Sequence, residues 1–273
     1  MGEEAGGEKN VKTTIDAVTG LFKAVPIYDD MVQPVAKQLG KSLETVGKAI
    51  NVALAPVGIL VWGYEKCQEF ISTKVADRLK DVAPEDIITP KPNVAGPAIE
   101  ALRYTGHEES LSDMYANLLA AAMDKNTANE AHPAFVEIIK QLTPDEAKLI
   151  AYFMEPLAFP LITVRAGEKE FGTGNYDVAV NVSLFGELAK LDLPDLVPMY
   201  IDNLCRLGLA EAPPAYVYSD KHLYYELETS SRVEAYRQQV ALTPELILTL
   251  VRGGVKVTSF GKQFGDICIR GRS

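Results

Sequence analysis

Hydrophobic positions recur at helical spacing through most of the first half of the chain. From Val11 to Lys48 the pattern is broadly helical, broken near Val25–Pro26 and loosened at Gly40. Ser42 offers an N-cap to a segment continuing through Lys80, amphipathic again from Glu65 to Asp81. Pro84, Pro90, Pro92, Gly96 and Pro97 then predict an extended or turning stretch over 83–97. A helix is expected from Pro97 through Tyr104, and another after Ser110 or Ser112. The second places Leu111, Met114, Tyr115, Leu118, Leu119, Ala122 and Met123 on one face. Ala116, Ala120 and Ala121 make it slim enough for close helix approach. Pro133 reads as the first residue of a helix AFVEIIKQL, with His132 just before it. Thr143-Pro144-Asp145-Glu146 carries a capping box at the head of the next helix.

After Pro156 the texture changes. FPLITVRA and YDVAVNVS alternate with period two around Gly167, Gly172 and Gly174, which predicts a hairpin. Helices are expected over 183–191 and 194–207, the latter stopped by Gly208. YVYS and HLYYELET read as a strand pair, Thr243-Pro244 as a helix start, and Val255–Thr258 as a strand leading into a helix over 259–269. The predicted fold is mainly α with a smaller α+β part. It divides into a flexible acidic leader (1–10), a helical region (11–82), a Pro-rich linker (83–97), a central helical region (98–143) and a winged-helix-like domain (144–273).

Ala49 to Tyr64 (AINVALAPVGILVWGY) contains no charged residue. A membrane-spanning helix needs about 20 mostly apolar residues, and this run is shorter and interrupted by Asn51, Pro56, Gly58 and Gly63. Trp62 and Tyr64 at one end and flanking Lys48 and Lys66 are nonetheless an interfacial pattern. A buried helix kinked at Pro56 and a hairpin that meets a membrane or another protomer are both open readings. Val57, Ile59, Leu60, Val61, Trp62 and Tyr64 are the candidate contacts in the second.

Composition narrows the function classes. Net charge is −10 and is shared by both halves, which argues against a nucleic-acid binder, since phosphate affinity needs clustered Lys and Arg. The expected recognition helix of a winged helix, DLVPMYIDNLCRLGL, offers two Asp and one Arg. The basic C-terminal run Arg252, Lys256, Lys262, Arg270 and Arg272 leaves a weak contact with an acidic surface open. Cys67, Cys205 and Cys268 are scattered, and are expected as reduced thiols in a cytoplasmic protein. His107, His132 and His222 have no partner at zinc-ligand spacing, and no metal or cofactor is expected. No nucleophile elbow, phosphate loop or dinucleotide fingerprint is present, so no catalytic residues are predicted and the chain is expected to act by binding.

Two blocks carry a resemblance: DMYANLLAAAMD (113–124) and AHPAFVEIIKQLTPDEAK (131–148). With ALAPVGILVWGYEK and VTSFGKQFGDICI they are similar to the bacterial abortive-infection alpha family. Asp113, Tyr115, Asn117, Asp124, His132, Pro133 and Phe135 are the signature positions matched. The resemblance implies antiphage defence in which infection arrests or kills the host cell. It leaves three mechanisms: an effector or sensor with conditional membrane contact at the inner membrane through 49–64, an adaptor without membrane activity, or a weak nucleic-acid-binding regulator. The implied partners are a protein or phage-derived trigger and a second copy of the chain.

Overall fold

The computed structural model describes residues 64–168 and 174–271. The first described helix, α1, runs from Tyr64 to Phe70, passes through one π-helical stretch at Ile71–Val75 and ends at Ala76–Arg78. It packs with α2 (Pro92–Thr105), α4 (Ala134–Ile139) and α5 (Pro144–Phe153) around α3 (Glu109–Met123). α3 is buried on nearly every side. Ala116 and Leu118 are fully enclosed, and the alanines let neighbouring backbones approach as its small-residue spacing predicts. Thr143 forms the expected capping box with Glu146: Glu146 N–H donates to Thr143 Oγ1 (3.2 Å) and Thr143 N–H to Glu146 Oε2 (2.7 Å).

The proline-rich stretch is shorter than its composition predicts. Proline is well placed in a first helical turn, so α2 begins at Pro92 and carries Pro97 within it. The residues before it are stitched to the end of α3, Ile88 N–H donating to the Met123 carbonyl (2.7 Å) and Lys125 N–H to the Asp86 carbonyl (2.9 Å). One hydrophobic core runs without a break from Cys67 to Cys268.

The C-terminal part is α+β. The expected hairpin forms from β1 (Pro160–Glu168) and β2 (Asn175–Val182), followed by the short helix α6 (Phe185–Leu188) and α7 (Val197–Arg206). α7 ends in a Schellman motif. Gly208 takes φ +73°, its N–H bonds the Cys205 carbonyl, and Leu209 N–H bonds the Leu204 carbonyl (both 3.0 Å). β3 (Ala210–Glu211) pairs with β5 (Lys256–Val257) at the foot of α10, which spans Ser259–Phe264 and continues as a π-helix over Gly265–Arg270. Gly261 is where α10 touches the Leu209 carbonyl, closer than any side chain permits.

Two local expectations are overturned. HLYYELET is not a strand: Asp220 accepts the His222 N–H (2.9 Å) and turns the chain into a 3-10 stretch (Lys221–Tyr224), then α8 (Tyr225–Glu228). That geometry buries Tyr224 and aims its hydroxyl at the Gly253 carbonyl (2.8 Å). Thr243-Pro244 does not start a helix either. The helix lies before it, as α9 (Ser231–Ala241), and LILTLVRGG becomes strand β4 (Leu246–Gly254), antiparallel to β1 over its whole length. Six consecutive apolar and β-branched residues favour an extended partner over a helical turn. The sheet order is β2–β1–β4, with Tyr224, Leu227 and Val233 covering its inner face.

A polar clasp between the first, central and last helices

The signature residues converge on the seam where α1 and α10 meet α3. Lys74 and Arg78 lie four residues apart on α1 and face Asp113 near the start of α3. Asp113 Oδ1 accepts from Lys74 Nζ (2.8 Å) and Arg78 Nη2 (3.0 Å), and Lys74 Nζ also donates to Ser112 Oγ (3.0 Å). Arg78 Nε donates to Asn117 Oδ1, one turn further along α3. Asn117 then uses its Nδ2 to donate to the carbonyls of Cys268 (2.9 Å) and Ile269 (3.2 Å). Those carbonyls lie in the last turn of α10, where no following helical N–H reaches them. One chain of hydrogen bonds thus ties the first described helix to the last.

The clasp is part-exposed. The side chains of Lys74, Arg78 and Asp113 retain 35%, 24% and 40% of their accessible surface, so water and salt screen the ion pairs. Behind it lies a cavity of about 200 Å³ floored by Leu79, Val82 and Ala120 and bordered by Arg78, Asn117 and Asp124. Asp124 is buried and closes the α3 terminus, its Oδ1 accepting from the Asn126 backbone N–H (2.9 Å).

The second signature block holds α10 from the other side. His132 Nδ1 accepts the Ala134 N–H (3.1 Å), so the histidine rather than Pro133 caps α4. Phe135 is fully buried between Phe260 and Phe264, with ring centroids 5.4 Å away from each. Tyr115 is also fully buried, and burial pushes its hydroxyl pKa far above the ordinary value.

A second buried carboxylate was not predicted as a site. Asp145 accepts the backbone N–H groups of Asp192 (2.9 Å) and Leu193 (2.8 Å) and sits beside Lys148 and Tyr200. Burial alone would raise its pKa, but the two N–H donors and Lys148 outweigh it and leave it below the usual carboxylate range. On α7, Asn203 donates to Glu146 Oε1 (2.7 Å), and Arg206 donates to Asn203 Oδ1 and Gln141 Oε1. The one basic residue of that helix is therefore exposed but hydrogen-bonded to Gln141, in the turn between α4 and α5. Lys74, Arg78 and Asp145 were missed because each is an ordinary surface pattern in sequence; the i, i+4 spacing of Lys74 and Arg78 is the one signal that marks them.

Val57, Ile59, Leu60, Val61 and Trp62 lie outside the described residues, and Tyr64 is described only as the first residue of α1. Among the described residues no helix is long and apolar enough to cross a membrane, and no group of three or more His, Cys, Asp or Glu could hold a metal ion. All three cysteines are free. Burial pushes the Cys67 thiol up to about 12 and Cys268 well above its ordinary value.

A family model described as abortive infection alpha matches residues 63–268. No curated protein matches the chain. A solved structure of an uncharacterized protein from the hydrocarbon-degrading marine bacterium Alcanivorax borkumensis SK2 is similar at 22% identity over 48% of this chain and 92% of that one, with a TM-score of 0.32.

Proposed function

The chain belongs to the abortive infection alpha family, and on that premise we propose that it defends a bacterial population by arresting or killing the phage-infected cell. The family match over most of the chain is the observation that carries this reading. In the mechanism we favour, the chain is a non-enzymatic effector whose uncharged segment 49–64 meets a membrane once a trigger is bound. The segment ends where α1 begins, and the Lys74–Arg78–Asp113–Asn117 clasp holds α1 to the body.

The magnitudes suit a switch. Part-exposed ion pairs contribute about 0.2–1 kcal/mol each. A trigger shifts the balance only by its difference in affinity for the two states, and a hundredfold preference for the released state, about 2.7 kcal/mol, offsets the polar clasp though not the buried apolar face of α1 (Phe70, Ile71, Val75, Leu79). We assign the trigger, a protein partner or phage-derived molecule, to the C-terminal part. There we read α5, α6 and α7 followed by the β3–β5 pair as a winged-helix-like order that serves docking, because Asn203 and Arg206 of α7 are already engaged with Glu146 and Gln141. Cells carrying the protein, infected at a multiplicity above one, should lose viability and release few phage. Full bursts from such cells would remove the defence reading. Recovery of a stoichiometric partner with membranes intact would favour an adaptor instead.

A further inference from the structure

The two edges of the sheet β2–β1–β4 are built differently. β2 shifts register against β1 on both sides of Val164, exposes Asp177, and carries Asn181 at φ +54°. Bulges and charges of this kind blunt an edge against pairing with another chain. β4 has no such protection. It keeps one register with β1 from Leu246 to Gly254, and Leu246–Val251 holds neither a charge nor a proline. Arg252, the first charge, is turned back onto Glu228 in a two-pronged ion pair (2.6 and 2.8 Å).

The side chains of β4 show what the edge lacks. Ile162, Val164 and Ala166 on β1 are fully buried. Leu248 and Leu250, which face the same way opposite Ala166 and Val164, are only half-buried. On the outer face Ile247 and Val251 are 49% and 38% exposed, with Thr249 between them. Among the described residues β4 pairs with β1 alone.

We propose that β4 is a self-pairing edge at which a second copy of this chain adds its own β4, antiparallel, around a two-fold axis through Thr249. The pleat restricts the register, because directly opposed residues must share a face. An axis at Thr249 sets Leu248 opposite Leu250 of the partner subunit and Ile247 opposite Val251 of the partner subunit, leaves Leu246 opposite Arg252 of the partner subunit only at the ends of the pairing, and opposes no like charges. An axis at Leu250 would oppose Leu248 and Arg252; one at Leu248 would oppose Glu245 and Val251. Of these registers the Thr249 axis alone matches Ile247, Leu248, Leu250 and Val251 with apolar partners, a self-complementarity that favours another copy over an unrelated peptide. Pairing would join the two sheets into one of six strands, cover the half-buried leucines and satisfy the open backbone edge.

The test uses the full chain with Thr249→Cys. In the proposed register the two Thr249 Cα atoms lie about 4.5–5.5 Å apart, within disulfide reach. Mild oxidation should give a covalent dimer as the main product. Wild type should give none, and neither should Asn175→Cys on the opposite edge. Sedimentation should show a dimer that Val251→Lys weakens at least tenfold while leaving unchanged the melting temperature measured at dilution where both proteins are monomeric. A monomer at tens of micromolar overturns the proposal. So does Thr249→Cys cross-linking no faster than Asn175→Cys, or a dimer indifferent to Val251→Lys.

Discussion

Asn117 Nδ2 lies 2.9 Å from the Cys268 carbonyl oxygen, a contact between residues 151 apart in sequence. It binds the middle of the central helix to the end of the last one, while the same amide accepts from Arg78 on the first described helix. Removing it leaves two carbonyls and a guanidinium short of a partner at once. Asn117→Ala should therefore cost roughly 1–3 kcal/mol in denaturant unfolding, against about 1 kcal/mol for Asp113→Ala, whose partners are part-exposed.

The Arg78–Asp113 pair should behave as a screened contact. A double-mutant cycle to alanine is expected to give a coupling of about 0.5–1 kcal/mol at low salt that shrinks as salt is raised. A coupling that ignores salt would mean that packing rather than charge holds α1.

Asp145 sets an acid limit. Its folded-state pKa lies below the unfolded value, so the unfolded chain takes up the proton first. The stability it contributes is fully present above the unfolded carboxylate pKa of about 4 and is lost as pH falls through the lowered folded value. Asp145→Asn should cost roughly 1.5–3 kcal/mol at pH 7 and flatten the acid limb of the stability profile. Glu228, lowered first by its hydrogen bond to Arg252, contributes with the same sign.

Thiol labelling should separate the cysteines. Cys67 and Cys268 are buried with raised pKa values, while Cys205 is only partly enclosed. At pH 8 native protein should label first at Cys205, and peptide mass mapping reads the order.

Much of this architecture was legible where local rules and tertiary demands agree. The capping box at Thr143, the glycine stop at Gly208 and the alternating hairpin strands each follow from a few neighbouring residues. Thr243-Pro244 repeats the Thr-Pro opening of Thr143-Pro144, though with Leu246 where the capping box has Glu146, and leads into a strand because LILTLV finds a nine-residue partner in β1 that no local rule reveals. Tyr224 reads as a strand residue until the Gly253 carbonyl claims its hydroxyl. The clasp was half legible: Asp113 and Asn117 stood out as signature positions, but their partners Lys74 and Arg78 become partners only when α1 folds back on α3.

In the proposed mechanism segment 49–64 delivers the effect at the membrane. Membrane potential followed by dye in phage-infected cells tests it most directly, comparing wild type with Leu60→Asp expressed to the same level. Wild-type cells should depolarise early and die without a burst, whereas Leu60→Asp cells should stay polarised and proceed to a full burst. Wild-type cells that die while still polarised, or depolarisation unchanged in Leu60→Asp, would contradict it.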